Sequence, residues 1–168
     1  IYLRLSRAGN MHQPVESDTP FFLLLDIARM LRAEFEHEVR EADLGVTPGE
    51  ARTLANIARF GPLSQNDLAA LSGFGAMSVT RVIKNLETAG LIYRSIDPND
   101  RRARMVQISD KATPLMHELK KIEMSVKDIT SRNVTSKNWR AFEQILKVVR
   151  DNHLTAYHGR RAIDIETE

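Results

Sequence analysis

The amino-acid sequence predicts a mainly α-helical fold with one small β-hairpin. Apolar residues recur at three- and four-residue steps near both ends of the chain, which is the period of amphipathic helices. Between these segments, 64–107 contains two short helical patterns joined by a glycine-containing turn, followed by two β-compatible runs. This order is typical of a winged helix-turn-helix, with the outer helices available as a helical dimerisation layer.

The first of the two short helices begins at a capping pair. Ser64 precedes Asp67 by three residues, so each side chain is placed to bond the other residue's backbone N–H. Leu68 and Leu71 supply an apolar side. The segment 72–75, Ser-Gly-Phe-Gly, then gives the flexible backbone that a sharp turn requires.

The second helix is predicted from Ala76 to Ala89, with Gly90 as its C-terminal stop. One apolar stripe marks its buried face: Val79, Val82, Ile83 and Leu86. The opposite face carries groups suited to DNA: Ala76, Met77, Ser78, Thr80, Arg81, Lys84 and Thr88. Recognition helices present their N-terminal residues to base edges. This favours 76–78 and Arg81 as base contacts, and Lys84 and Thr88 as phosphate contacts. For Met77 and Arg81, the alternative is an ordinary solvated surface residue.

The hairpin wing follows directly. Its strands are 91–94 and 104–108, and the Asp-Pro-Asn-Asp run between them favours a turn. Arg101 and Arg102 lie near the tip, where they are placed to clamp phosphates or enter a minor groove, while Asp100 is close enough to hold one guanidinium. Arg94 and Arg104 flank the stem and either contact DNA or pair with Asp97 or Asp100.

These motifs resemble those of MarR-type transcriptional regulators. The resemblance rests on Thr80-Arg81, on the run Leu86-Glu87-x-x-Gly90-Leu91-Ile92, and on 97–102 followed by Ile108-Ser109. It extends over roughly 21–154 and implies a homodimeric winged-helix repressor released by a small ligand. In the family's Asp-x-Arg wing pattern the matching residues are Asp100 and Arg102, so the resemblance favours Arg102 as the minor-groove side chain. The 108–112 run lacks the glycine that the family often has there.

The domain organisation follows from these assignments. We expect a flexible arm over 1–20, a helical dimerisation region formed by 21–45 and 109–154, a DNA-binding region over 46–108, and a polar, frayed tail over 155–168. Met11 is either the native start after a vector-derived leader, or part of a genuine leader.

Four helices flank the reading motif. The first runs over 21–39 and ends near 43–45, and the second begins at the Thr47–Glu50 capping pair and ends at Gly61-Pro62. After the wing, an apolar stripe over 115–129 is either core or dimer seam. Its helix starts either at Ser109 or at Thr113-Pro114. A last amphipathic helix carries the apolar residues of 139–149.

Composition excludes several classes of protein. The 24 Lys and Arg residues nearly balance the 22 Asp and Glu residues, for a net charge of +2. DNA affinity must therefore come from where the cations lie. With no cysteine, the chain cannot form disulfides, thiolate metal sites or thiol-based oxidation sensors. It has no run long enough to cross a bilayer, which makes the cytoplasm the default location. It also lacks the GxSxG and phosphate-loop motifs, so we expect neither an enzyme nor a bound cofactor.

The sequence offers candidate residues for an effector pocket and for a metal site. His37 and Arg52 are expected to add polar groups to a pocket for a small effector between the dimer layer and the winged helix. The five histidines show no compact metal spacing. Some MarR-like proteins bind zinc at positions that would correspond to Glu36, His37 and His117, but these few ligands do not support a metal site here.

The sequence therefore predicts a homodimeric, sequence-specific DNA-binding transcriptional regulator. It is expected to be a ligand-responsive repressor whose partners are double-stranded DNA, a second copy of itself and a small-molecule effector, with no membrane partner. The alternative is a winged-helix protein-interaction module that does not bind DNA. Arg101 and Arg102 argue against it, because such a module has no physical need for them alongside Arg81 and Lys84.

Overall fold

The computed structural model describes residues 18–72, 75–96 and 104–166. These residues form mainly helices and one small sheet, as predicted. The elements in chain order are α1 (Pro20–Glu41), α2 (Pro48–Phe60), β1 (Leu63–Ser64), α3 (Gln65–Ser72), α4 (Ala76–Thr88), β2 (Ile92–Ile96), β3 (Arg104–Ile108), a 3₁₀ turn (Asp110–Ala112), α5 (Thr113–Thr130) and α6 (Ser136–Glu166).

The sheet is antiparallel, with the strand order β1-β3-β2. Strands β2 and β3 pair from Ile92 with Ile108 to Ile96 with Arg104, which gives the predicted hairpin stem. Strand β1 was not predicted from the sequence. Its two residues pair with β3 through Leu63 and Val106, and through Ser64 and Met105, so the hairpin is joined to the start of α3. Two residues are too few to show an alternating pattern in the sequence. The position of β1 is set by its partner strand, which lies more than forty residues away in the chain.

Helix α2 begins at a complete capping box. The Thr47 N–H donates to Glu50 Oε2 at 2.8 Å, and the Glu50 N–H donates to Thr47 Oγ1 at 3.3 Å. Pro48 occupies the first helical turn, where its missing N–H costs nothing. At the other end, Gly61 has a φ of 82° and stops the helix. The predicted start and stop are both confirmed.

Helix α3 also begins as predicted. The Ser64 N–H and hydroxyl both donate to Asp67 Oδ2, and the Asp67 N–H donates to Ser64 Oγ at 3.1 Å. Ser64 is thus both the cap of α3 and the last residue of β1.

Helix α4 ends in a Schellman motif. Gly90 has a φ of 71°, its N–H donates to the Glu87 carbonyl at 2.9 Å, and the Leu91 N–H donates to the Leu86 carbonyl at 2.9 Å. The predicted role of Gly90 is confirmed, because the left-handed conformation it adopts favours glycine.

The chain divides after Val126 into two compact units, and the hydrophobic core lies in the first. Helix α2 is central to this core, packing against α1, α3, α4 and β3. The core is built from side chains of every helix from α1 to α5 and of two strands: Val39, Ala51, Leu54, Ile57, Leu68, Val79, Ile83, Leu86, Ile92, Val106, Leu119, Ile122 and Val126. The apolar stripe predicted for the second helix of the motif therefore faces the core.

The second unit contains the end of α5 and the whole of α6. Near the start of α6, Trp139 Nε1 donates to Glu143 Oε1 at 2.7 Å, and the Trp139 ring lies 5.7 Å from that of Phe142. The sequence predicted a frayed tail from 155 onward, but α6 continues to Glu166. No proline interrupts this stretch, and a polar composition does not by itself prevent helix formation.

The start of α5 combines the two predicted alternatives. Ser109 precedes the short 3₁₀ turn, and α5 itself begins at Thr113, with Pro114 in its first turn. The 108–112 run, which has no glycine, contains this 3₁₀ turn.

Candidate nucleic-acid interface

The outward face of α4 is open to solvent. Met77 is 89% exposed, although it is apolar. The other predicted contacts on this face are also exposed: Ser78, Thr80, Arg81, Lys84 and Thr88. On the opposite side, Ile83 is fully buried. The helix therefore presents a polar and basic surface from a rigidly packed base, and the side chain of Ala76 lies outside the described residues.

Helix α3 is tied to the first turns of α4. Gln65 Nε2 donates to Thr80 Oγ1 at 2.8 Å across the helix-turn-helix. Thr80 was predicted as a DNA contact, and this bond fixes its side chain while leaving it exposed. The bond also sets how the N-terminal half of α4 lies on α3.

Helix α2 is tied to α4 by the buried carboxylate of Glu50. Asn85 Nδ2 donates to Glu50 Oε1 at 3.1 Å, while Glu50 Oε2 accepts from the Thr47 N–H. Burial by itself raises the pKa of Glu50. The hydrogen bonds from Thr47 and Asn85, together with the charge of Arg81, outweigh burial and lower the pKa below its usual value. Glu50 is therefore an anionic group bonded to α4 at Asn85, on the helix that carries Arg81 and Lys84.

The C-terminal end of α4 is fastened to the connection that leads into α5. Ser109 Oγ donates to the Gly90 carbonyl at 2.6 Å, and Lys111 Nζ donates to the Ala89 carbonyl at 2.8 Å. A cation at this end also interacts favourably with the helix dipole. The angle of the recognition helix is thus set at both of its ends.

The wing stem carries a row of polar side chains on one face. The Tyr93 hydroxyl donates to Gln107 Oε1 at 3.0 Å, and Gln107 Nε2 donates to Ser95 Oγ at 2.6 Å. These cross-strand bonds hold β2 against β3.

Arg94 was expected to contact DNA or to pair with an acidic residue of the wing tip. Its Nε lies 3.2 Å from Glu87 Oε2 on α4. Arg94 and Ile92 share one face of β2, and β2 packs against α4. Arg104 is exposed at the end of the stem. Asp100, Arg101 and Arg102 lie in the stretch 97–103, outside the described residues, and their DNA roles stay predictions.

The two residues predicted for an effector pocket have different partners. Arg52 Nη1 lies 2.8 Å from Glu36 Oε1, and both side chains are largely buried where α1 meets α2. Burial lowers the pKa of Arg52, and the charge of Glu36 opposes this effect. His37 is exposed, with its Nδ1 at 4.0 Å from Glu41 Oε1. Among the residues that the structure describes, no group of three or more His, Cys, Asp or Glu side chains could hold a metal.

Sequence reasoning missed the side chains that position α4. Glu50 was identified as a cap, but its bond to Asn85 joins residues 35 apart in the chain. Gln65 and Lys111 were not identified at all. Polar residues of this kind carry no periodic signal, so only a motif comparison at these positions could have found them.

Comparisons with known proteins agree with this geometry. Residues 46–103 match the model of the MarR family. MarR from E. coli, in its apo form, is 17% identical, with 80% of this chain and 98% of that chain covered at a TM-score of 0.65. A MarR transcriptional regulator from Methanosarcina mazei Go1 is 20% identical, with 79% and 94% covered at 0.66.

A third solved structure concerns the regulation of DNA binding of Bordetella bronchiseptica BpsR by 6-hydroxynicotinic acid. It is 21% identical, with 83% of this chain and 99% of that chain covered at a TM-score of 0.62. The fold is therefore that of winged-helix MarR regulators. In addition, the described helices include none with the length and apolar character needed to cross a membrane.

Proposed function

We propose that this chain, which has the MarR fold and matches the MarR family model over 46–103, is a sequence-specific DNA-binding transcriptional regulator rather than an enzyme. The observation that carries the proposal is the exposed basic face of α4, which includes Arg81 and Lys84 and lies opposite the apolar stripe that packs into the core. A helix held in this way is suited to the major groove.

DNA binding would use two kinds of contact. On α4, Ala76, Met77, Ser78 and Arg81 face base edges, and Lys84 and Thr88 face phosphates. The wing adds Arg101 and Arg102 next to the helix, with Arg102 entering the minor groove and Asp100 orienting it. Base contacts supply specificity in this arrangement, and the wing cations supply affinity.

We further propose that the regulator is a homodimer. The first half of α1 leaves several large apolar side chains exposed: Phe21, Leu23, Leu24, Leu25, Met30 and Leu31. In the second unit, α6 exposes Ile145 and Val148. Apolar area of this kind is suited to burial against a second copy. A two-fold dimer would place two recognition helices on a pseudo-palindromic operator, with half-sites about 34 Å apart.

The proposed regulator is a repressor that releases its operator when a small effector binds. BpsR gives this idea its support, since its DNA binding is regulated by 6-hydroxynicotinic acid. In this chain the partly buried ion pair between Arg52 and Glu36 supplies polar groups at the base of the winged helix, near His37 on α1. An effector changes DNA affinity only if it binds one dimer geometry more tightly than the other.

The proposal is tested by recovering bound DNA genome-wide and measuring the affinity of purified protein for the recovered site. We expect one imperfect palindrome, bound at least a thousandfold more tightly than unrelated DNA at physiological salt. Aromatic acids and other small metabolites are then screened for release. Equal affinity for all duplexes would contradict the proposal and favour a protein-interaction module, while a specific site that no metabolite releases would contradict only the ligand response.

A further inference from the structure

We propose that Glu50 is a positioning residue for base recognition, which holds the recognition helix through Asn85 and so positions the turn that presents Arg81. This inference rests on the proposed function and adds to it a residue outside the DNA-facing surface. Glu50 lies on α2, its side chain is buried, and its carboxylate accepts a hydrogen bond from Asn85 of α4.

Both oxygens of the Glu50 carboxylate are engaged, each by a different element. Oε2 accepts the Thr47 N–H at 2.8 Å, and this bond anchors the carboxylate to the start of α2. Oε1 accepts from Asn85 Nδ2 at 3.1 Å, which anchors α4 to the same group. The side chain of Glu50 therefore has little freedom to move, and neither does the turn of α4 that bears Asn85.

Arg81 lies one helical turn before Asn85. Residues four apart share one face of a helix, so the bond from Asn85 to Glu50 holds the side of α4 that also carries Arg81. The charge of Arg81 also acts on the Glu50 carboxylate and lowers its pKa. Arg81 itself is exposed. A fixed anion next to a long, flexible guanidinium limits the directions in which that guanidinium can point, and bidentate base contacts depend on such alignment.

The negative charge has a second consequence. An anion close to a surface that binds phosphates weakens the attraction for DNA of any sequence. Glu50 should therefore lower non-specific affinity and raise discrimination at the same time. A residue that merely stabilised the fold would change both affinities in the same direction.

The variant Glu50→Gln separates these roles, because it removes the charge and keeps the length of the side chain. We expect two- to fivefold tighter binding to unrelated duplexes, and a loss of roughly tenfold in the preference for the cognate base pair over a mismatch at the position that Arg81 reads. Thr47→Ala is the matched control. It removes the hydroxyl that caps α2 but leaves the backbone N–H that holds Glu50, so stability should fall while the discrimination ratio stays unchanged.

A double-mutant comparison tests the link to Arg81. If Glu50 acts through this side chain, Glu50→Gln should cause no further loss of discrimination in an Arg81→Ala background. Equal losses in both backgrounds would overturn the inference. If Glu50→Gln does not fold, Asn85→Ala replaces it. It keeps the cap, and an unchanged mismatch penalty at the same base pair would likewise overturn the inference.

The two proposals fail in different ways. If the protein binds all duplexes equally and Arg81→Ala does not change this, the proposal of a sequence-specific regulator is refuted. A wild type that discriminates, an Arg81→Ala variant that does not, and a Glu50→Gln variant that discriminates as well as wild type would refute only the role of Glu50. Circular dichroism and thermal unfolding of every variant ensure that the comparison is made between folded proteins.

Discussion

At the scale of single residues, the DNA face combines side chains that are held in place with side chains that are not. Thr80 is bonded to Gln65, and the backbone turn that carries Arg81 is fixed through Asn85 and Glu50. Met77 and Lys84 extend from the same face, and both are exposed. Base discrimination is therefore expected chiefly from Arg81, because the helical turn that carries it is held in place.

Replacing Arg81 with alanine should reduce affinity for the cognate site by about 1–3 kcal/mol and relax preference at one position in each half-site. Titrations against cognate, single-mismatch and unrelated duplexes measure both effects. Lys120→Ala is the control, since it removes a surface cation from α5. Intact mismatch penalties in the Arg81 variant would contradict the assignment.

The wing cations should behave differently. Arg101→Ala and Arg102→Ala should each lower the affinity for cognate and for unrelated DNA by similar factors, because phosphate contacts carry no sequence information. Each should lower the magnitude of the slope of log affinity against log salt by roughly one. Arg102→Ala should in addition reduce any preference for A·T-rich flanks, whose minor groove is narrow. If Arg102→Ala leaves the affinity and the salt slope unchanged, Arg102 of the wing does not contact DNA.

The pKa of Glu50 makes stability depend on pH. Because its folded pKa lies below the usual value of 4.5, the stabilising contribution of the carboxylate is complete above that pH and is lost as pH falls through the folded pKa. Glu50→Gln should thus lower the free energy of unfolding at pH 7, and its difference from wild type should shrink below pH 4.5. Urea unfolding at pH 7 and near pH 3 measures this, with Glu123→Gln as an exposed control. A difference that does not vary with pH would contradict the role of the charge.

At the scale of elements, the position of α4 is determined by contacts with four neighbours. Helices α2 and α3 hold its sides, β2 packs against it, and the connection before α5 caps its C-terminal end. A change in any of these neighbours would alter the angle at which the helix enters a groove. At the Gly90 junction, two side chains from 109–112 bond the carbonyls of Ala89 and Gly90.

Gly90→Ala should destabilise the protein by about 1–2 kcal/mol, because its φ of 71° is costly for an L residue. The new Cβ would also lie 3.4 Å from Lys111 Cδ, a contact that this flexible side chain can accommodate. Gly45→Ala is a matched comparison, with a φ of 72° and no atom within 4 Å of the new Cβ. Denaturant unfolding should give similar losses for the two variants, while only Gly90→Ala should also weaken operator binding. Equal operator affinities would show that this junction does not set the helix angle.

At the scale of the whole molecule, the proposed function requires two copies. Leu25→Glu places a charge on the exposed apolar part of α1, where Leu25 is 54% exposed in the single chain. We expect it to produce monomers at micromolar concentration, with operator affinity reduced at least tenfold, because burying an unpaired charge at an interface is costly. Sedimentation and DNA titration measure the two effects, with Arg29→Ala on the same helix as the control. A wild-type monomer that binds its operator at full affinity would contradict the dimer.

The sequence by itself determined the fold class and most of the local structure. Helix starts and stops are set by contacts within a few residues, such as the Thr47–Glu50 box and the Gly90 stop, so they are readable from spacing alone. The buried stripe of α4 and the open face opposite it follow in the same way from the helical period. Motif resemblance added the MarR family, which the match over 46–103 supports.

Only the tertiary structure decided which side chains support the reading face. The two-residue strand β1, the Glu50–Asn85 bond and the capping of α4 by Lys111 all join positions far apart in the chain. The partner of Arg94 proved to be Glu87, and the extent of α6 exceeded the apolar pattern that predicted it. Such pairings depend on how elements pack in three dimensions. A polar residue bonds whichever group packing brings within about 3 Å, and no periodicity along the chain records that choice.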